Sequence, residues 1–131
     1  MSTAPKSLLV VDDYQGIRDG VTSLLQTEGY RINTAANGRE AIELLKHERI
    51  DLIITDILMP EMDGLELVKH VQSEHPDMKF ILISGGGRHL DGDSVPDFLA
   101  MGTRLTGVSS VLKKPFKPDL LVQMVEELLA D

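Results

Sequence analysis

Apolar residues in this chain form short continuous runs that are separated by longer stretches with helical spacing. The short runs lie at residues 7–11, 30–35, 51–55, 79–84 and 110–113. Continuous apolar runs of this length are typical of strands that are buried on both faces. The pattern therefore predicts five strands, and the third of them ends just before the carboxylate of Asp56.

The segments that follow these five runs carry apolar residues three and four positions apart, which is the spacing of one helix face. Gly29 stands where the first helix is expected to end, and Pro118 suits the first turn of the last helix. Asp63 and Glu66 have the spacing of a capping box at the start of the third helix. A fourth helix is predicted over about residues 94–106, which gives five helices in total.

Strands that alternate with helices predict an α/β fold, with a parallel sheet covered by helices on both faces. Such sheets bind their ligands at the carboxyl ends of the strands, near the point where the strand order reverses. The residues that follow the strands are therefore the candidates for a functional site.

Polar and charged residues collect at these strand ends. Asp12 and Asp13 follow the first strand, Asp56 the third, Ser84 the fourth and Lys114 the fifth. Crowded carboxylates oppose one another's ionisation, so a divalent cation best explains the cluster. Because the ligands would be oxygens, and the chain has no Cys, magnesium or manganese is predicted.

Two or three carboxylates do not fill the octahedral shell of magnesium, so positions remain for water and phosphate oxygens. Lys114 and Ser84 could neutralise and hydrogen-bond the other oxygens of a phosphoryl group. The site is therefore suited to phosphoryl chemistry, in which Asp56 could act as ligand, nucleophile or both.

Composition limits the alternatives. With 131 residues, of which 42% are apolar, the chain is expected to form one domain over residues 1–131 with a core of about 6–130. The formal charge of −8 argues against a nucleic-acid surface. No apolar run has the length of a membrane span or of a signal peptide, so we expect a cytoplasmic protein without a membrane partner.

Four motifs carry a family resemblance: "VVDD" at 10–13, "DILMPEMDG" at 56–64, "LISG" at 82–85 and "KPF" at 114–116. With these motifs the chain resembles the receiver domain of bacterial two-component response regulators, in particular the stand-alone, chemotaxis-regulator-like type. The resemblance covers nearly the whole chain. It implies a doubly wound (βα)5 sandwich of flavodoxin-like topology, whose five parallel strands lie in the order 2-1-3-4-5.

The resemblance also implies a role for each strand-end residue. Asp12 and Asp13 match the acidic pair that holds magnesium, together with Asp56 and the backbone carbonyl of Leu58. Asp56 itself matches the phosphoacceptor.

Two further residues would contact the phosphoryl group. Ser84 matches the switch hydroxyl of the family, and Lys114 matches its invariant lysine. A cis peptide bond is expected between Lys114 and Pro115, since cis is accessible mainly before proline.

The function that the resemblance implies is phosphotransfer signalling. Asp56 would take a phosphoryl group from the phosphohistidine of a histidine kinase or a histidine phosphotransfer protein. A separate effector protein would then bind, and the chain would be a monomer or a phosphorylation-dependent dimer. It would not be an enzyme, although it would assist its own phosphorylation and dephosphorylation.

The chain departs from the family pattern at three points. Val111 stands where the family usually has an aromatic residue, three positions before the lysine. The segment from Ser84 to Lys114 is longer than usual, with the extra residues in 85–98. We also expect no output domain after Asp131, so that signalling would pass through a separate protein.

Two other functions remain open on the sequence. A pseudo-receiver would serve only as a docking or dimerisation module. A magnesium-dependent phosphohydrolase would form an aspartyl-phosphate and turn over external substrates, but that class has a second Asp where this chain has Leu58.

Overall fold

The computed structural model describes residues 5–57, 62–84 and 110–130. The strands are β1 (Ser7–Val11), β2 (Arg31–Ala35), β3 (Leu52–Asp56), β4 (Lys79–Ser84) and β5 (Ser110–Lys113). The helices of the described ranges are α1 (Gln15–Thr27), α2 (Gly38–Leu45), α3 (Gly64–Glu74) and α4 (Pro118–Leu129). The helix predicted over 94–106 lies outside the described residues.

The five strands form one parallel sheet in the order β2-β1-β3-β4-β5. The doubly wound α/β fold and its strand order are therefore confirmed. The order reverses at β1, which pairs with β2 on one side and with β3 on the other. The crevice beyond the carboxyl ends of β1 and β3 is the place where this fold binds ligands.

Two apolar clusters cover the two faces of the sheet. Leu9 and Ile53 belong to the cluster that packs against α2 and α3, and their chain neighbours Leu8 and Ile54 belong to the cluster that packs against α1 and α4. Because successive side chains of a strand point to opposite faces, a strand in this position needs a continuous apolar run. Double burial explains the runs of β1, β3 and β4, whereas the edge strand β2 has exposed residues.

The helix ends follow the signals in the sequence. Gly29 ends α1 with a φ of 97°, a left-handed conformation that glycine adopts without strain. The Asp63 carboxylate accepts a hydrogen bond of 2.9 Å from the backbone N–H of Glu66, and Pro118 is the first residue of α4. All three predictions of helix boundaries are confirmed.

Gly64 allows α3 to begin in direct contact with the end of β3. A Cβ atom at this position would lie 2.3 Å from the carbonyl oxygen of Asp56 and 2.9 Å from the Cα of Ile57. We therefore expect Gly64→Ala to lower the free energy of unfolding by about 1–3 kcal/mol, the usual cost of forcing extra volume into a packed site.

Denaturant unfolding measures this effect, and Gly20→Ala is the matched control. Gly20 lies inside α1, and a Cβ atom added there would meet no atom within 4 Å beyond the backbone of its own helix and its chain neighbours. Because alanine is the better helix former, this control should raise the free energy of unfolding by up to about 1 kcal/mol. Equal stability of the two variants would contradict the close contact between α3 and β3.

Candidate functional site

Three carboxylates meet at the carboxyl end of the sheet. Oxygen atoms of Asp12, Asp13 and Asp56 all lie within 4.8 Å of one another. Asp12 is only 2% exposed and Asp56 8%, while Asp13 lies at the surface. Asp56 is the last residue of β3 rather than the first residue after it, because it still pairs with Ile83 of β4. The predicted acidic cluster is therefore present.

Backbone hydrogen bonds fix Asp12 in this cluster. Its N–H donates to the carbonyl of Ala35 at 3.2 Å, which continues the pairing of β1 with β2. Its carboxylate Oδ1 accepts from the N–H of Tyr14 at 2.9 Å. The other carboxylate oxygen, Oδ2, is buried and makes no hydrogen bond to the described residues. One oxygen of Asp12 is thus held by the loop, and the other interacts with positive charge, in this structure the ammonium of Lys114.

Lys114 supplies the positive charge of the site. Its Nζ lies 3.6 Å from Oδ2 of Asp12 and 3.8 Å from Oδ2 of Asp56. Its N–H donates to the carbonyl of Ser84 at 2.8 Å, and the expected cis bond between Lys114 and Pro115 is present. Because the cluster holds three carboxylates and Lys114 pairs with two of them, its net charge is negative.

Ser84 is the last residue of β4 and is 1% exposed. Its hydroxyl Oγ has no hydrogen-bond partner within the described ranges. A buried hydroxyl without a partner costs free energy that a suitable ligand atom would recover. By contrast, the buried hydroxyl of Thr55 donates to the carbonyl of Asp56 at 3.1 Å. Of these two hydroxyls, Ser84 is the one that can receive a ligand.

Electrostatics favour a cation at the cluster. Burial raises the pKa of the Asp12 carboxyl above its ordinary value, and the charge of Asp13 acts in the same direction. The hydrogen bond from Tyr14 and the ammonium of Lys114 oppose this shift in pKa without cancelling it. A divalent ion would favour the ionised form of Asp12. The oxygen-only donor set therefore fits magnesium.

Arg18 contacts the site, although no motif in the sequence indicates it. Its Nη1 donates a hydrogen bond of 2.6 Å to the backbone carbonyl of Asp12. Arg18 lies in the first turn of α1, where the helix dipole disfavours a positive charge. A basic residue in the first turn of a helix is therefore a sequence signal that a hydrogen-bond acceptor or a negative charge lies nearby.

Like the helix predicted over 94–106, two further sequence predictions lie outside the described residues: the carbonyl of Leu58 as a metal ligand, and the long segment 85–98. Val111, which replaces the usual aromatic residue, is half-buried and packs against the cluster under α2 and α3.

Across the described helices, none is long and apolar enough to cross a membrane.

A family model and similar proteins relate this chain to the response regulators. Residues 8–126 match the family model of the response regulator receiver domain. The chain is 37% identical over 129 residues to the transcriptional regulatory protein GlrR of Escherichia coli strain K12, and this match covers 98% of the chain but 27% of GlrR. It is 34% identical over 127 residues to the response regulator Rre1 of Synechocystis, covering 96% of the chain and 52% of Rre1. The chain thus spans between about a quarter and a half of the length of these relatives.

Solved structures agree with this assignment. The chemotaxis protein CheY4 of Vibrio cholerae superposes with a TM-score of 0.82 at 32% identity, covering 96% of this chain and 100% of CheY4. The response regulator TrrA of Thermotoga maritima, solved in complex with Mg(2+)-BeF, gives a TM-score of 0.78 at 34% identity, covering 95% of this chain and 99% of TrrA. From the family match, the shared fold and the acidic cluster at the strand ends, we conclude that the chain belongs to the response regulator receiver domains of two-component systems.

Proposed function

We propose that this receiver domain accepts a phosphoryl group on Asp56 from the phosphohistidine of a histidine kinase or a histidine phosphotransfer protein. The transfer depends on magnesium, and the phosphorylated form binds a separate effector protein. One observation carries the proposal: the nearly buried Asp56 lies beside a pair of acidic residues and 3.8 Å from the ammonium of Lys114.

In the transfer step, a carboxylate oxygen of Asp56 attacks the phosphorus atom of the donor. The new O–P bond forms as the P–N bond breaks, and the electron pair stays on the imidazole nitrogen, which takes up a proton from solvent. Lys114, 3.8 Å from Oδ2 of Asp56, would offer its positive charge to the phosphoryl oxygens. Apart from the O–P bond that Asp56 forms, the protein contributes to the transfer by positioning the reacting groups and stabilising their charge.

Asp12, Asp13 and Asp56 would hold the magnesium ion, which when bound supplies positive charge to the phosphoryl oxygens. Such compensation matters because the cluster is already net negative. Without it, Asp12 and Asp13 would repel an incoming phosphoryl group.

Phosphorylation changes the site most strongly at β4 and β5. It converts Asp56 into a larger and more negative group, which attracts Lys114 at the end of β5 and offers acceptor oxygens to Ser84 at the end of β4. Movement of these two strand ends would alter the neighbouring surface and so the binding of an effector. Since Val111 replaces the aromatic residue of the family, the switch cannot use an aromatic side chain at that position.

The proposal is tested by intact mass spectrometry of the protein after incubation with acetyl phosphate or phosphoramidate, with and without magnesium. We expect a gain of one phosphoryl group that requires magnesium and is absent from Asp56→Ala. No gain in the folded wild-type protein would favour a docking or dimerisation module. Continuous release of phosphate from a small phosphate ester would instead favour a phosphohydrolase.

A further inference from the structure

We propose that Arg18 is a positioning residue for the magnesium site, which it serves by fixing the peptide bond between Asp12 and Asp13. This inference rests on the proposed role of these two residues as magnesium ligands. Arg18 itself does not touch the ion or the phosphoryl group in this proposal. It acts on the backbone that carries one of the ligands.

The contact is short and charge-assisted. Nη1 of Arg18 lies 2.6 Å from the carbonyl oxygen of Asp12, and the side chain is half-buried. Hydrogen bonds from a guanidinium are stronger than those between neutral groups. That carbonyl belongs to the planar peptide unit that joins Asp12 to Asp13, so its direction also determines where the Cα of Asp13 lies.

Asp13 depends on this contact more than Asp12 does. The side chain of Asp12 is buried and accepts a hydrogen bond from the N–H of Tyr14. Asp13 is exposed, and the structure records no hydrogen bond or ion pair of its carboxylate with the described residues. The position of Asp13 near Asp56 is therefore set mainly by the backbone of Asp13. Arg18 fixes the peptide unit on the N-terminal side of that backbone.

When the charge of Arg18 is removed, a positioning role and simple charge repulsion predict opposite changes in magnesium affinity. A cation near the site repels magnesium, so its loss alone would tighten magnesium binding. Loss of the hydrogen bond would leave Asp13 free to move and so weaken magnesium binding. A second residue that orients a metal ligand typically changes metal affinity by about 10- to 100-fold.

The test is the magnesium affinity of the whole chain, measured by isothermal titration calorimetry without a phosphodonor. Arg18→Met removes the donor and the charge but keeps a long side chain, and we expect magnesium affinity to fall at least about tenfold. Arg18→Lys keeps the charge and a single donor group, and it should bind magnesium several-fold more weakly than the wild type. Arg39→Met, which removes an exposed charge from α2, is the matched control and should bind like the wild type.

Circular dichroism and thermal unfolding show whether each variant is folded. If Arg18→Met does not fold, the magnesium affinity of Arg18→Lys tests the inference. Unchanged or tighter magnesium binding in the folded Arg18 variants would overturn the inference while leaving the proposed function in place. Failure of the wild type to bind magnesium would overturn the metal site of the proposed function and this inference with it.

Discussion

Replacing Lys114 with methionine is expected to slow phosphoryl transfer to Asp56 by about 100- to 1,000-fold, the usual effect of removing one charged or hydrogen-bonding group from a transition-state site. Lys114 is the one cation placed between two carboxylates of the described site, at 3.6 Å from Asp12 and 3.8 Å from Asp56. Methionine keeps a similar length but has no charge. The phosphoryl oxygens would then face the acidic residues without the ammonium.

The rate of phosphoryl incorporation from phosphoramidate, at saturating magnesium, measures this effect. Lys113→Met is the matched control, because Lys113 is the neighbouring residue and lies exposed at the end of β5. The control should react at nearly the rate of the wild type. A Lys114→Met protein that reacts as fast as its control would show that the ammonium takes no part in the transfer.

Asparagine at either member of the acidic pair is expected to lower magnesium affinity by about 100-fold or more, since a lost ligand costs more than a lost supporting contact. The two substitutions should nevertheless have different effects on the magnesium-free protein. Asp12 is buried and its pKa is raised, so Asp12→Asn should increase the free energy of unfolding at pH 7. Asp13 is exposed, and Asp13→Asn should change stability little.

The pH dependence of unfolding, measured in the presence of a chelator, separates these effects. The pKa of Asp12 in the folded protein lies above the ordinary value of 3.8, so the folded state binds more protons than the unfolded state. The contribution of Asp12 to stability therefore increases as the pH falls from neutral toward 3.8. Asp12→Asn should lack this contribution, and Asp19→Asn, which removes an exposed charge from α1, should retain it. If Asp12→Asn were less stable than the wild type at pH 7, the claim that the buried charge of Asp12 destabilises the folded protein would be contradicted.

The sequence predicted the sheet and the place of the site because both depend on local patterns. A strand buried on two faces must be apolar almost throughout, and β1, β3 and β4 meet this requirement. The edge strands β2 and β5 carry polar residues as well, but all five strands were predicted to within one residue at their ends. Parallel strands bring their carboxyl ends to one edge. Asp12, Asp56 and Lys114 could therefore be predicted to meet without knowledge of any distance.

The contacts that support the site were harder to predict, because they depend on tertiary geometry. The bond from Arg18 to the carbonyl of Asp12 uses a backbone acceptor, which no residue type reveals. Gly64 ends a motif in the sequence, but only the structure shows that the carbonyl of Asp56 occupies the space a side chain would need there. Lys79, at the start of β4, donates to the carbonyl of Leu128 near the end of α4. No local pattern connects two residues so far apart in the sequence.

The most direct test of the central claim is to locate the phosphoryl group. The protein is incubated with phosphoramidate and magnesium, treated with borohydride to reduce the acyl phosphate to an alcohol, and digested for tandem mass spectrometry. Reduction confined to Asp56 and dependent on magnesium is the predicted result. Reduction at Asp12 or Asp13, or no reduced residue in a protein that stays folded, would contradict the assignment of Asp56 as the phosphoacceptor.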